Sequence, residues 1–346
     1  MRVLAADVGG THARFALFDG WGRRPRMLRK ESWPSADYDG LLPVLCEFLD
    51  DGSDAPDAAC LALAGPVEDG VCRVPNLGWR VDQAELSRET GIEPLRLLND
   101  LSAIGHGVLV LGDHEVAALN GPSEREGQGH GAAADAPGVV GGTGDGGLLA
   151  VLGAGTGLGV AAVDLGADPP RVLDSEGGHA DFAPRSDAQW ALARFLARRH
   201  GRASWERVLS GGGLVDIYDH LGGDVAAAEA GARRTRDDGP AAFIAGCGLA
   251  GDDALCARAL DMFVAAFGAF AANVAVTLGA RSGVYVAGGI APRILGALRQ
   301  GSFMKSFRSM GRMRGYVEEI PVRVVLNEDV GLLGAASVAV GHGGPE

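Results

Sequence analysis

The sequence predicts an α/β protein, and three observations carry that expectation. Apolar runs of strand length alternate with stretches of helical periodicity. A unit of strand, Gly/Thr turn and strand occurs twice, first over residues 3–18 and again over 148–163, which suggests an internal duplication. The chain has 346 residues, which at about 150 per domain is enough for two cores of ordinary size.

The elements follow in order. Val3-Leu4-Ala5-Ala6 leads through Asp7-Val8-Gly9-Gly10-Thr11 into Ala13, Phe15 and Leu17 alternating with Arg14, Ala16 and Phe18, a hairpin with a glycine corner. Helical pattern follows at Tyr38 to Leu49, then an apolar strand from Ala59 to Ala64 stopped by Gly65-Pro66. Asp82-Gln83-Ala84-Glu85 has the form of a capping box, and Gly91 ends that helix. The strand Leu95 to Leu98 runs into Asn99-Asp100, after which Leu101, Ile104 and Val108 repeat at helical spacing. Residues 121–147 are rich in Gly, Ala, Asp and Ser with almost no large apolar side chain, so a mobile surface loop is expected there. The strand pattern then recurs: Leu148 to Leu152, the turn Gly153-Ala154-Gly155-Thr156-Gly157-Leu158-Gly159, and Val160 to Val163. Ser186 and Ser210 cap two helices, the first ending at Gly201. Asp261 to Ala280 reads as a buried helix, Gly283 to Ala287 as a strand ending in Gly288-Gly289, and Pro292 sits where a helix would begin. The strand Val322 to Leu326 and a last small-residue helix close the chain.

Composition narrows the function. With 44 acidic against 31 basic residues the net charge is −13, so no basic stripe exists to release phosphate counterions and a nucleic-acid binder is not expected. Glycine, 55 residues or about 16%, is twice its ordinary share, but hydrophobics at 47% and the lack of a Gly-X-Y period exclude collagen and global disorder. The five cysteines form no Cys-x-x-Cys pair, which points to a reducing compartment, the cytoplasm, and to no structural zinc. Phe263 to Ala280 carries no charge over 18 residues, but its Ala and Gly bring little transfer energy, so it reads as a core helix rather than a membrane span.

Several residues are placed to do chemistry. A Gly-Gly between strands is by itself an ordinary hairpin turn. Here both turns carry a threonine beside the glycines and the first also holds Asp7, so bare backbone N–H groups become available to an anionic phosphate. Asp7 would hold Mg²⁺ through water, because magnesium keeps most of its hydration shell. There is no Gly-x-x-x-x-Gly-Lys-Ser/Thr, and neither turn precedes a helix, so a nucleotide fits and nicotinamide does not. Asn99-Asp100, where a strand meets a helix, reads either as a plain N-cap or as a general base whose ionised form the helix dipole favours. In Glu176-Gly177-Gly178-His179 the glycines bring a carboxylate and an imidazole together; the pair is structural, or it grips adjacent hydroxyls. Half a metal site is a further reading of that pair, without a third ligand nearby.

Taken together these motifs resemble the bacterial ATP-dependent glucokinases of the hexokinase and actin-like ATPase superfamily, in its zinc-less group. The similarity spans nearly the whole chain. It runs through Ala5 to Thr11, Leu98-Asn99-Asp100, Gly153 to Gly159, Glu176 to Pro184, Glu206-Arg207-Val208-Leu209-Ser210-Gly211 and Val286 to Ile290. The resemblance implies a two-domain actin-like ATPase, or ribonuclease H-like, fold with its active site in an interdomain cleft. Residues 1–110 with about 320–346 would form a small domain and 111–319 a large one. The ATP phosphates would lie on Ala6, Asp7, Val8, Gly9, Gly10 and Thr11 and on Gly155, Thr156 and Gly157, with Gly288 and Gly289 by the adenosine.

By the same resemblance Asp100 is the base, and Asn99, Asp100, Glu176, His179 and Glu206 hold the glucose hydroxyls. Glu206 alone would read as a solvated helix-end charge. Asn76, in Pro75-Asn76-Leu77-Gly78-Trp79, resembles a loop lining the sugar pocket, and a turn asparagine would look the same. The zinc-dependent relatives carry cysteines just after their Gly-His, and Ala180 to Ser186 has none. The 121–147 loop looks longer than is usual. Implied partners are glucose, ATP and a second copy of the chain, with no nucleic acid and no membrane. Two alternatives stay open: a kinase for fructose, mannose or an amino sugar, and a noncatalytic sugar sensor. A repressor of this fold would need a helix-turn-helix ahead of Asp7, where six residues stand.

Overall fold

The structure, a computed structural model, describes residues 1–20, 24–50, 55–120, 146–235 and 239–343. The chain separates into two units, one of residues 1–115 and 327–346, the other drawn from residues 116–326. The loop expected over 121–147 lies outside the described residues except for Gly146 and Gly147.

In the first unit the predicted hairpin forms from β1 (Arg2–Val8) and β2 (His12–Asp19), whose register sets Asp7 opposite Arg14. A strand that the sequence did not announce, β3 (Arg26–Pro34), pairs antiparallel with β2. Helix α1 (Leu41–Leu49) starts three residues later than its pattern suggested, behind an extended Gly40. The all-buried β4 (Ala58–Leu63) runs parallel to β1. Next comes a small antiparallel sheet of β5 (Val67–Glu68), β6 (Val71–Val74) and β7 (Trp79–Asp82), also absent from the sequence reading. Helix α2 (Gln83–Thr90) has the foreseen ends: the Asp82 carboxylate accepts from the N–H groups of Ala84 and Glu85, and Gly91 closes it in the left-handed region. The strand β8 (Leu95–Asn99), parallel to β4, then passes directly into α3 (Asp100–Val108). The main sheet has the order β3-β2-β1-β4-β8. Phe15 stacks on Phe48 at 5.6 Å between ring centres, with Trp33 edge-on to both.

The second unit contains β9 (Val116–Ala118), β10 (Leu148–Ala154), β11 (Leu158–Asp164) and β12 (Arg171–Ser175), followed by five helices. These are α4 (Asp187–His200), α5 (Gly211–His220), α6 (Val225–Thr235), α7 (Pro240–Ala250) and α8 (Ala254–Leu278). Then come β13 (Gly283–Ala287), α9 (Ile290–Arg293), α10 (Leu295–Arg299), α11 (Ser302–Arg308), α12 (Arg314–Glu318) and β14 (Val322–Val325). The sheet order is β12-β11-β10-β13-β14-β9. Its first five strands repeat the order of the first sheet, with the same antiparallel, antiparallel, parallel, parallel pairings. The duplication read from the two glycine turns therefore extends to whole sheets.

Helix α8 begins seven residues before the expected Asp261, because Asp253 caps it by accepting from the N–H groups of Leu255 and Cys256. Among the described residues it is the one helix long and apolar enough to cross a membrane, and two thirds of that stretch is buried in the core of this unit. Phe263, Phe267 and Phe303 pack edge to face there. All five cysteines are free thiols. The final helix, α13 (Val330–Gly343), belongs to the first unit and packs on α3, β1 and β4.

Candidate active site

The first glycine turn closes on itself, with the Gly9 N–H donating to His12 O at 3.0 Å. It is pinned from behind by Ser35, a fully buried residue whose hydroxyl donates to Gly9 O at 2.9 Å and whose N–H donates to Thr11 O at 2.9 Å. No sequence signal marked Ser35, because its role depends on β3 returning beside β2. The N–H groups of Gly10 and Thr11 have no acceptor among the described residues, so they, rather than that of Gly9, are the donors the turn offers outward. Asn76 lies across this turn: a Cβ placed on Gly10 would stand 3.1 Å from its own.

Asp7 sits one strand position before the turn with Arg14 Nη1 at 3.7 Å, and 29% of its side chain remains exposed. Burial raises its carboxyl above the ordinary range, against the pull of Arg14, and the charge of Asp329 adds to the rise. Asp329 is itself paired with Lys30 at 2.8 Å. No group of three or more His, Cys, Asp or Glu side chains gathers at a metal-binding distance among the described residues. A single, partly exposed carboxylate beside a turn with unbonded N–H groups is a donor set that suits Mg²⁺, which binds one or two carboxylates and keeps its waters.

At the junction of β8 and α3 the geometry shows the capping role read for Asn99-Asp100. Asn99 is the N-cap: its Oδ1 accepts from the Leu101 N–H at 2.9 Å and its Nδ2 donates to Gly65 O at 3.2 Å. Asp100 Oδ1 accepts from the same N–H at 2.8 Å, so one carboxylate oxygen is fixed at the helix start. The Cys72 thiol nearby is pushed up to about 11, first by burial and then by the Asp100 charge, and stays a protonated, inert neighbour.

In the second unit the turn Gly155-Thr156-Gly157 joins β10 to β11. Gly155 N–H donates to Gly157 O, and Gly211 N–H donates to Gly155 O, both at 2.9 Å. Here Thr156 and Gly157 keep the unbonded N–H groups among the described residues. Gly288 and Gly289 follow β13 at the same sheet end, since Ala287 pairs with Gly153 of β10. Glu206 is anchored against this turn: its Oε2 accepts from the Leu158 N–H at 3.1 Å, and its own N–H donates to Gly178 O at 2.9 Å. Gly178 is required there, because a Cβ would fall 1.8 Å from Leu158 O.

That close approach aligns three side chains named from sequence. His179 Nδ1 lies 3.9 Å from Glu206 Oε1, and its Nε2 lies 3.7 Å from Glu176 Oε2. His179 and Glu176 are 56% and 71% exposed and free to take a ligand, whereas Glu206 at 26% is held by the backbone. The first unit thus carries Asp7, the first turn, Asn76, Asn99 and Asp100, and the second carries Glu176, His179, Glu206, the second turn and Gly288-Gly289. Each unit has a turn with unbonded N–H donors able to meet an anion, and the second unit adds a cluster of carboxylates and an imidazole able to pair with hydroxyl groups.

Known proteins share this fold and sequence over their whole length. A glucokinase of Synechocystis sp. is 37% identical, with 98% of each chain aligned. The crystal structure of a glucokinase from an Antarctic psychrotroph superposes with a TM-score of 0.76 at 28% identity over 98% of both chains. That of a Balamuthia mandrillaris glucokinase in complex with glucose gives 0.77 at 23% identity over 98% of this chain and 93% of the other, a likeness of fold. The two repeated sheets conform to the two-domain actin-like ATPase fold of glucokinase structures such as the psychrotroph enzyme. The defining pattern of the family described as glucokinase matches residues 4–342, and the chain belongs to that family.

Proposed function

We propose that the protein transfers the γ-phosphoryl group of ATP to the 6-hydroxyl of D-glucose, releasing ADP and glucose 6-phosphate, with Asp100 as general base. The observation that carries this reading is the Asp100 carboxylate. One oxygen accepts from the Leu101 N–H at 2.8 Å, which fixes the carboxylate at the start of α3, where the helix dipole favours its ionised, proton-accepting form. As the 6-oxygen bonds to the γ-phosphorus, its proton passes to Asp100 and the bond from phosphorus to the β,γ-bridging oxygen breaks, leaving ADP. The outward N–H groups of Gly10, Thr11, Thr156 and Gly157 meet the phosphate oxygens and oppose the charge that gathers there. Mg²⁺, held by Asp7 through water, would neutralise phosphate charge when bound with the nucleotide.

Selection of the sugar falls to side chains that accept and donate in pairs. Glu176, His179 and Glu206 suit adjacent hydroxyls of a pyranose, and Asn99 and Asn76 are the further sugar residues that the family resemblance implies. The glucose bound to the Balamuthia mandrillaris relative supports that choice of substrate. On this reading the enzyme is a cytoplasmic homodimer that opens the glycolytic use of glucose, in keeping with its acidic charge and five free thiols.

The test is a coupled assay with ATP, Mg²⁺ and a panel of glucose, mannose, fructose, glucosamine and N-acetylmannosamine, run beside Asp100→Asn. Glucose should be turned over selectively, and the variant should bind glucose while kcat falls by about 10²–10⁴. A near-normal kcat in Asp100→Asn would remove the base assignment. Preference for another hexose would keep the reaction but discard the roles given to Glu176, His179 and Glu206.

A further inference from the structure

The charge of the chain is unevenly placed. Although the total is −13, residues 299–314 hold Arg299, Lys305, Arg308, Arg312 and Arg314 and no acidic residue. Three of these cations, Lys305, Arg308 and Arg314, line one cavity of about 630 Å³ in the second unit, together with Gly301, Ser309 and Gly311. Among the described residues only Arg314 has an acidic partner, Glu318 at 2.8 Å; Lys305 and Arg308 have none. Cations gathered on a concave surface repel one another, and a protein rich in carboxylates that leaves them unpaired has a surface suited to an outside anion. Arg308 presents a planar fork and Lys305 a compact ammonium, the two donor types that grip phosphate oxygens. The Ser309 hydroxyl and the small glycines let such an anion approach closely.

The same segment is tied to the sugar cluster by one side chain. Arg185 lies nine residues after Glu176 and six after His179. Its guanidinium donates to Ser306 O at 3.0 Å and Ser309 O at 3.2 Å at the end of α11. It also donates to Asn273 Oδ1 at 2.8 Å and Ala269 O at 3.3 Å on α8. Whatever shifts the end of α11 therefore acts on the segment that follows the turn bearing Glu176 and His179, six residues beyond His179.

We propose that the cavity between Lys305, Arg308 and Arg314 binds a phosphate dianion, free or carried by a small phosphomonoester, and that its occupancy alters the affinity of the sugar site through Arg185. The site is separate from the nucleotide turns, and only its link to sugar affinity rests on the function proposed above.

The experiment is calorimetric titration of the wild-type protein and of the Lys305→Ala/Arg308→Ala variant with inorganic phosphate, without Mg²⁺ or nucleotide, then with glycerol 3-phosphate. Binding should weaken by about tenfold or more in the variant, whose glycine turns are intact. Tighter binding of phosphate or of glycerol 3-phosphate supports the site either way and tells which form it takes. Absence of binding to the wild type, or equal affinity in the variant, overturns the site, the latter placing the anion at the glycine turns. Should the double variant fail to fold, Lys305→Gln, a change at an exposed position, takes its place. For the link, glucose KM is measured with and without phosphate: it should change by about threefold or more in the wild type and stay constant in the variant, with kcat and KM alike in both without phosphate. A phosphate-insensitive KM in a protein that binds phosphate at Lys305 and Arg308 overturns the link and leaves the site, so failure here is distinct from failure of glucose turnover.

Discussion

Glu206 carries several duties at once. One carboxylate oxygen accepts from the Leu158 N–H and lies against Gly157, while the other faces His179 at 3.9 Å. A hydrogen bond to a charged group is worth about 1.5–3 kcal/mol, so Glu206→Gln should raise glucose KM by about ten- to a hundredfold with an unchanged circular dichroism spectrum. A change below twofold would mean that the residue only shapes the turn. Nothing local in the sequence distinguishes Glu206 from a solvated helix-end charge; its place beside the glycine turn arises from the chain returning after α4. Ser35 is a similar case, a buried serine whose value lies in two bonds to a turn 24 to 26 residues earlier in the chain. By contrast Asn99-Asp100 and Gly178-His179 stood out in sequence, because the junction of strand and helix and the paired glycines are local features.

Helix ends were the most legible elements. Ser186, Ser210 and Asp82 all cap as read, each side chain accepting an N–H within three residues of itself, an interaction that the adjacent sequence determines. Ser210→Ala should therefore destabilise the second unit by about 1 kcal/mol, seen as a lower urea midpoint with an unchanged m-value. The missed elements share the opposite property. β3 and β12 are edge strands with mostly exposed or half-exposed side chains, and the sheet β5-β6-β7 is built of strands of two to four residues. Such segments show little apolar pattern, since what holds them is pairing with a neighbour distant in sequence or a short hairpin register. The early start of α8 has another cause. Arg258 and Asp261 lie on its exposed face, so charges that read as a boundary are its solvent side.

At the scale of the whole molecule, Glu115 joins three parts of the first unit. It pairs with Arg24 at 2.6 Å, accepts from the Gly112 N–H at 2.8 Å and accepts from Asn327 Nδ2 at 2.6 Å. Burial alone would raise its carboxyl, but these bonds together outweigh it and lower the pKa to about 2. A carboxylate whose pKa is depressed on folding stabilises the protein above the ordinary carboxylate range, and that contribution is lost as pH falls toward 2. The wild type should then lose stability steeply with acidification from about pH 5 downward, and Glu115→Gln should show a lower midpoint at pH 7 with a shallower acid slope, measured by thermal melts across pH. An identical slope in the variant would assign the acid sensitivity to other carboxylates.

The sequence by itself determined the α/β class, the repeated strand, turn and strand unit, the caps and the two glycine turns, and through six motifs in order it pointed to the family. These are features whose physical cause lies within a few residues: apolar period, a capping oxygen, a glycine beside a threonine. Tertiary structure decided the rest. It set which N–H groups of each turn face outward, brought Glu206 onto Gly157 and His179, recruited Ser35, and gathered Lys305, Arg308 and Arg314 around one cavity. Each of those depends on segments separated along the chain meeting at a distance of a few ångströms, and that distance is fixed only when each sheet has packed with its own helices.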